Sequence, residues 1–262
     1  MASTTNHDVS QVRAFADLLE AAARDRQPIA RLTNSTPSFD ADLAYAVQAE
    51  LHARRLSVGE TEIGLKLGLT SRAKQVAMGV NEPLWGRLTS GMLLDEDDQL
   101  EVGTLIHPRV ESEIGFLIGR DIDGASATTA SVIAATDSVF PALEVLDSRY
   151  ADFSFAHADV IADNGSAARI LIGGRALSPR ALDLQLEGMA LRHDGAVVST
   201  AAGAAVSGHP AAAVAWLARQ VGTLRAGAIV LSGGLTAPVS LSQSTTVTAQ
   251  FTTLGSVSIR CC

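Results

Sequence analysis

The chain has 262 residues, of which 47% are hydrophobic, 18% charged and only 4% aromatic, so it can bury a large core but must build it from aliphatic side chains. A formal net charge of −8 argues against nucleic acid or an anionic membrane surface as the main partner, and means that an anionic substrate needs a local cation or metal. No apolar run reaches the roughly 18 residues of a membrane span, the start MASTTNHDVSQ lacks the regions of a secretory signal, and the adjacent Cys261 and Cys262 form neither a disulfide framework nor a zinc site, all of which fits a cytoplasmic protein.

Residues 1–9 read as disordered. From there Val12, Phe15, Leu18, Leu19 and Ala22 follow helical spacing, with Pro28 ending the helix. Asp40 is placed to cap a second helix, with Leu43, Val47 and Leu51 on one face and Gly59 near its end. Residues 1–60 therefore read as an N-terminal helical portion whose role is packing. Next, Ile63, Leu65, Leu67 and Leu69 alternate with Gly64, Lys66 and Gly68, the pattern of a strand. On it Lys66 points away from the leucines, between glycines that leave room for its side chain or for a ligand. Two readings stand here: a solvated surface lysine, or a group at a site. Ser71 caps a short helix ending at Gly79, and Asn81-Glu82-Pro83 with Gly86 form a turn-rich loop, either a lid or a connector.

The segment LIHPRVESEIGFLIG follows, marked as a strand by Val110, Ile114, Phe116 and Ile118. Residues two apart on a strand share a face, so Glu111 and Glu113 project together, opposite Ser112 and Ile114. In VFPALEVLDSR, Val139-Phe140 and Ala142-Leu143 flank a proline and lead to Glu144. Three carboxylates cannot converge unpaired in apolar surroundings, because each buried charge costs several kcal/mol or more. Around a hard divalent cation they can. The competing reading leaves Glu111 and Glu113 on a solvated face and pairs Glu144 with an arginine. Residues 121–125 read as a loop. In DVIADNGS, Asp163-Asn164-Gly165 is a strong turn signal. From Ile170 on the chain reads mainly as strands, with a hairpin around Asp194-Gly195, one helix from Pro210 to Val221, and Gly233-Gly234 between two late strands. No repeat or linker interrupts residues 61–262, which read as one mixed, β-rich domain.

Taken in series, GLKLGLTSRAK, GVNEPLWGRL, HPRVESEIGF, PALEVLDSRY and ADNGS, followed by GAAVSGHPAAAVAWLA and LSGGLTAPV, resemble the fumarylacetoacetate hydrolase superfamily. Within it they look most like the hydratase and decarboxylase branch of meta-cleavage pathways for aromatic compounds. The resemblance runs in order from about Leu43 to Ile259. It implies an α+β fold, a mixed β-roll core with a helical N-terminal portion, assembled as homo-oligomers. It also implies that Glu111, Glu113 and Glu144 hold Mg²⁺ or Mn²⁺ and that Lys66 is catalytic, with Leu67, Ser166 and Thr236 as further substrate contacts. Gly165 departs from the pattern, which has alanine there.

The implied substrate is a small 2-oxo acid. DSRYADFSF and LSGGLT resemble the enzyme that decarboxylates 2-oxohex-3-enedioate (4-oxalocrotonate). The sibling that hydrates 2-hydroxypenta-2,4-dienoate is the alternative. A third reading is a catalytically silent partner of a sibling enzyme, since hydratase and decarboxylase associate in this branch; retention of Lys66 and three glutamates argues against it. Decarboxylation favours a pocket poor in fixed cations, and Phe153 and Phe155 are candidates for its apolar wall, or else core residues two apart on a strand.

Overall fold

The computed structural model describes residues 8–95, 97–173 and 175–262. Its helices are α1 (Val9–Asp25), α2 (Leu32–Ser35), α3 (Ala41–Ser57), α4 (Arg72–Met78), α5 (Thr129–Ala135), α6 (His157–Ala162) and α7 (Pro210–Val221). Its strands are β1 (Glu62–Gly68), β2 (Leu84–Thr89), β3 (Leu93–Leu94), β4 (Gln99–Leu100), β5 (Arg109–Ile118), β6 (Ile122–Asp123), β7 (Thr136–Leu146) and β8 (Ala167–Ile172). They continue with β9 (Gly188–His193), β10 (Ala196–Ala202), β11 (Thr223–Leu224), β12 (Ile229–Leu231), β13 (Val239–Ser240), β14 (Thr246–Phe251) and β15 (Ser256–Cys261).

Local chemistry sets the helix ends. Asp8 accepts the Ser10 N–H at 2.9 Å and starts α1. The expected disorder of residues 1–9 therefore does not reach Asp8 and Val9, and residues 1–7 lie outside the described residues. Asp40 accepts the Leu43 N–H at 3.0 Å and starts α3, while Ser71 caps α4 and Gly79 ends it in the left-handed region. α2 was not expected; the buried Asp159 carboxylate holds it, accepting the Thr33 N–H at 3.0 Å and the Thr33 hydroxyl at 2.7 Å. α1 and α3 pack with α6 and Tyr150 around a core of Leu19, Leu43, Val47 and Ile161.

The main sheet runs β2-β1-β12-β5-β7-β8-β3, with β13 paired to the start of β5. Its edge strands β2 and β3 are joined only by the three-residue turn Ser90–Met92. The sheet therefore has to roll until its edges meet. Inside the roll, Leu88 of β2 and Met92 of the link cluster with Ala142 of β7 and Ala167 and Ile170 of β8. The outer face carries Leu65, Leu67, Val110, Ile114 and Phe116 against α7 and the second sheet, β10-β9-β14-β15-β4. Gly86 lies within β2 rather than in a loop, paired with Lys66. Pro141 is tolerated inside the central strand β7. A residue's N–H and C=O point to the same side of a strand, and the Pro141 carbonyl accepts from Gly173 N at 2.7 Å, just past the last β8 pair, Ala142 with Ile172. Among the described residues no helix is long and apolar enough to cross a membrane.

Candidate active site

Strand register builds the acidic cluster. Glu111 on β5 lies directly opposite Glu144 on β7, and Glu113 follows two residues on, opposite Ala142. All three face the inside of the roll, and one oxygen from each lies within 4.8 Å of the others. Glu113 and Glu144 are 0% exposed and Glu111 8%, which rules out the solvated-face reading. Glu113 Oε2 accepts the Gly233 N–H at 2.6 Å, but Glu113 Oε1 and Glu144 Oε2 have no hydrogen-bond partner among the described residues. Burial, reinforced by the Glu144 charge, pushes the Glu113 carboxyl well above the usual carboxylate range. Burial also raises Glu144, against the pull of Lys66.

Two lysines answer the cluster. Lys66, 2% exposed, brings Nζ to 2.9 Å from Glu144 Oε1 and donates a hydrogen bond to the Gly165 carbonyl at 3.2 Å. Glu144 thus pairs with a lysine, not with an arginine. Burial pushes the Lys66 ammonium down, but Glu144 and Glu113 outweigh it and hold the group above the ordinary lysine value, so it stays charged. Lys74, from α4, places Nζ 2.6 Å from Glu111 Oε1 and 3.3 Å from the Gly234 carbonyl. Two ammonium groups thus face three carboxyl groups, and deprotonation of all three, as metal binding requires, leaves one negative charge. Hard oxygen donors, two of them without partners, fit a divalent cation. A side chain at Gly234 would collide with Glu111 Oε2.

The glycines beside Lys66 have other reasons than the sequence suggested. Gly64 meets the Ile229 carbonyl of the parallel strand β12, where a Cβ has no room, and Gly68 packs against Leu84. Room for the lysine comes from Gly86 and Gly165, whose Cβ atoms would sit 3.0 Å from Lys66 Cδ and 2.9 Å from Nζ. Gly165 belongs to a turn in which Asn164, Gly165 and Ser166 all have positive φ, 53°, 64° and 61°. The Asn164 amide stands in for a strand there, accepting the Arg87 N–H at 2.7 Å and donating to the Arg87 carbonyl at 2.9 Å. Asp163 closes the turn, accepting the Ser166 hydroxyl at 3.0 Å and pairing with Arg149.

The cluster opens into a cleft of about 300 Å³ lined by Lys66, Glu111, Ser166, Leu146, Phe153 and Phe155. Of the further contacts expected from the sequence, Ser166 lies on this wall. The Leu67 side chain packs into the outer core instead, and the Thr236 hydroxyl donates to the Ala237 carbonyl at 3.2 Å while Ala237 and Pro238 line the cleft. Phe153 and Phe155 stand in a 3-10 turn and the loop after it, not on a strand. The cleft also holds two cations that the sequence reading passed over, Lys74 and Arg109, so it is not poor in fixed charge. A larger cleft of about 560 Å³ lies beyond Asn164, but its arginines are met by carboxylates, among them Arg87 by Glu62 and Arg55 by Glu60.

Residues 87–261 match the family model described as fumarylacetoacetate (FAA) hydrolase, C-terminal. A 4-oxalocrotonate decarboxylase of Pseudomonas sp. (strain CF600) is 39% identical over 254 residues, covering 95% of this chain and 96% of the relative. A 2-keto-4-pentenoate hydratase of Paraburkholderia xenovorans (strain LB400) is 41% identical over 246 residues, covering 92% and 91%. The solved 4-oxalocrotonate decarboxylase from Pseudomonas putida G7, complexed with magnesium and adipate, superposes with a TM-score of 0.94 at 37% identity, over 98% of this chain and 99% of that one. The rolled sheet that gathers the glutamates is thus shared nearly end to end with a solved relative, and this chain belongs to the fumarylacetoacetate hydrolase family.

Proposed function

We propose that the protein is a divalent-metal-dependent lyase that releases the C6 carboxylate of 2-oxohex-3-enedioate as CO₂, yielding 2-hydroxypenta-2,4-dienoate in the meta-cleavage breakdown of aromatic compounds. The observation that carries this reading is the convergence of Glu111, Glu113 and Glu144 beside a buried Lys66 at a cleft lined mainly by apolar side chains. The decarboxylase names of relatives aligned over nearly the whole chain support it. Glu111, Glu113 and Glu144 hold Mg²⁺ or Mn²⁺. Such an ion supplies Lewis-acid polarisation of the 2-oxo group.

The substrate carries its own electron sink. When the C5–C6 bond breaks, its electron pair passes to C5 and is conjugated through C4 and C3 to the C2 oxygen, which takes a proton from water to give the 2-hydroxy product. Lys66, with Nζ 2.9 Å from Glu144 Oε1, is placed as a cation and hydrogen-bond donor for the oxygens on which negative charge grows. Leu146, Phe155 and Val160 line the cleft with apolar surface and keep water from the reacting carbons. Residues 1–60 act as a packing portion for residues 61–262, which hold the site. We further place the protein in the cytoplasm, as a homo-oligomer that associates with the sibling hydratase.

Hydration of 2-hydroxypenta-2,4-dienoate is the second reading, favoured by the 41% identity to a hydratase. A silent structural partner is disfavoured, because a scaffold gains nothing from three converging carboxylates, two of them fully buried. The deciding experiment incubates the pure protein with 2-oxohex-3-enedioate and Mg²⁺ and follows CO₂. Dienol formed with CO₂ is the expected result. Conversion of supplied dienol to 4-hydroxy-2-oxopentanoate, with no CO₂ from the diacid, installs the hydratase instead.

A further inference from the structure

We infer that Arg109 selects for dicarboxylates, its guanidinium taking the substrate carboxylate remote from the 2-oxo acid end. This deepens the reaction proposed above and rests on the glutamates marking where the 2-oxo acid end lies.

Arg109 opens β5 two residues before Glu111, so both side chains leave the same face of the strand. The strand rise puts their origins roughly 7 Å apart. An extended six-carbon diacid spans a similar length, roughly 6 Å between carboxyl carbons joined by five bonds of about 1.5 Å each. Both residues line the same cleft.

The other cations of that cleft already face carboxylates, Lys66 beside Glu144 and Lys74 on Glu111. Arg109 is different. Among the described residues no carboxylate lies within ion-pair distance of it. Its guanidinium instead rests 3.9 Å from the centroid of the Phe153 ring. Phe153 is itself held in place: its ring packs 4.6 Å from the His107 ring, and His107 Nε2 donates to the Ser148 carbonyl at 2.7 Å. Asp152 and Phe153 both take left-handed backbone, φ 57° and 53°, a conformation that costs a non-glycine residue about 1 kcal/mol or more. A turn held in that conformation thus presents an aromatic face to the guanidinium. Stacking leaves the N–H edge of the planar cation open, which is the edge that binds a carboxylate through two parallel hydrogen bonds.

A monoacid substrate leaves that edge unpaired, whereas a diacid fills it. The pairing has a kinetic consequence. An ion pair to the departing carboxylate stabilises the ground state, so Arg109 raises affinity without raising the rate of CO₂ loss.

The test uses the full chain with saturating Mg²⁺. Dissociation constants for adipate, the saturated six-carbon diacid, and for hexanoate, its monoacid counterpart, are measured by calorimetry for the parent protein, Arg109→Met and Arg109→Lys. The parent is expected to prefer adipate at least tenfold. Arg109→Met is expected to lose that preference with Mg²⁺ affinity, hexanoate affinity and melting temperature unchanged, and Arg109→Lys to recover part of it. With 2-oxohex-3-enedioate, Arg109→Met should raise KM tenfold or more with kcat equal or higher. A parent without diacid preference, an undiminished preference in Arg109→Met, or an equal loss of both ligands overturns the inference. A parent that shows the Arg109-dependent preference but releases no CO₂ overturns the proposed reaction and upholds the role of Arg109.

Discussion

Glu113 and Lys66 carry the electrostatic burden of the site, and each can be removed with little change of shape. Glu113→Gln deletes one of two fully buried carboxylates that face each other. Divalent-metal affinity should fall at least tenfold and turnover should vanish, while the metal-free variant melts no lower than its parent, because a neutral amide replaces a desolvated carboxyl crowded by Glu144. Calorimetric Mg²⁺ titration beside a thermal melt checks both halves; full metal affinity in the variant would put the metal elsewhere. Lys66→Met acts in the opposite direction on stability. It leaves Glu144 without its partner at 2.9 Å, so the metal-free protein should lose about 3 kcal/mol or more in a denaturant titration. Its kcat/KM should drop about 10²-fold or more, the scale of a lost acid–base or electrostatic group. At this scale the alternation of β1 and β5 showed in the sequence which residues share a face. The pairing of Lys74 with Glu111 did not show, since it joins a helix to a strand 37 positions away.

At the scale of elements, the turn Asp163–Ser166 controls where the Lys66 ammonium sits. Asn164→Ala removes both hydrogen bonds to the Arg87 backbone, a loss of about 1–3 kcal/mol, and frees the Gly165 carbonyl from its position under Lys66. The expected kinetic signature is a fall in kcat larger than any rise in KM. Gly165→Ala tests the same turn from another side. At φ 64° the alanine is strained by about 1–2 kcal/mol, and its Cβ, 2.9 Å from Lys66 Nζ, forces the lysine tip to shift. A lower melting temperature together with a several-fold loss of rate is expected; an unchanged rate would mean that the Lys66 position is not set by this turn. The turn itself was legible from Asp163-Asn164-Gly165. Helix α6 just before it was not, because five of its six residues are buried and an element buried nearly all round has no polar face to give it a period.

The whole molecule concentrates negative charge inside a rolled sheet, and metal binding should therefore be visible in global stability. With Mg²⁺ at about a hundred times its dissociation constant, linkage adds about 2.7 kcal/mol. For a chain of this size that is a rise of roughly 5–10 °C in melting temperature. Scanning calorimetry with Mg²⁺ and with chelator measures it. The shift should disappear in Glu113→Gln, and a parent protein indifferent to Mg²⁺, Mn²⁺ and chelator would remove the metal from the account.

The sequence by itself determined the local facts. Period-two alternation placed Glu111 and Glu113 on one face, Ser71 and Gly79 bounded α4, and Asp194-Gly195 closed the hairpin of β9 and β10, since each depends on residues a few positions apart. A series of motifs pointed to the fold as a whole. Only the tertiary structure decided what the carboxylates meet. Solvated face and buried cluster are identical in local pattern; they differ by the rolling of the sheet, which the three-residue link between β2 and β3 enforces and which closes Leu88 and Met92 over the interior. The same closure gave Lys66 rather than an arginine to Glu144, assigned the glycines Gly86 and Gly165 to make room for it, and set Arg109 against Phe153 across 44 residues. Those outcomes follow from contacts between segments far apart in the chain, and no local spacing encodes them.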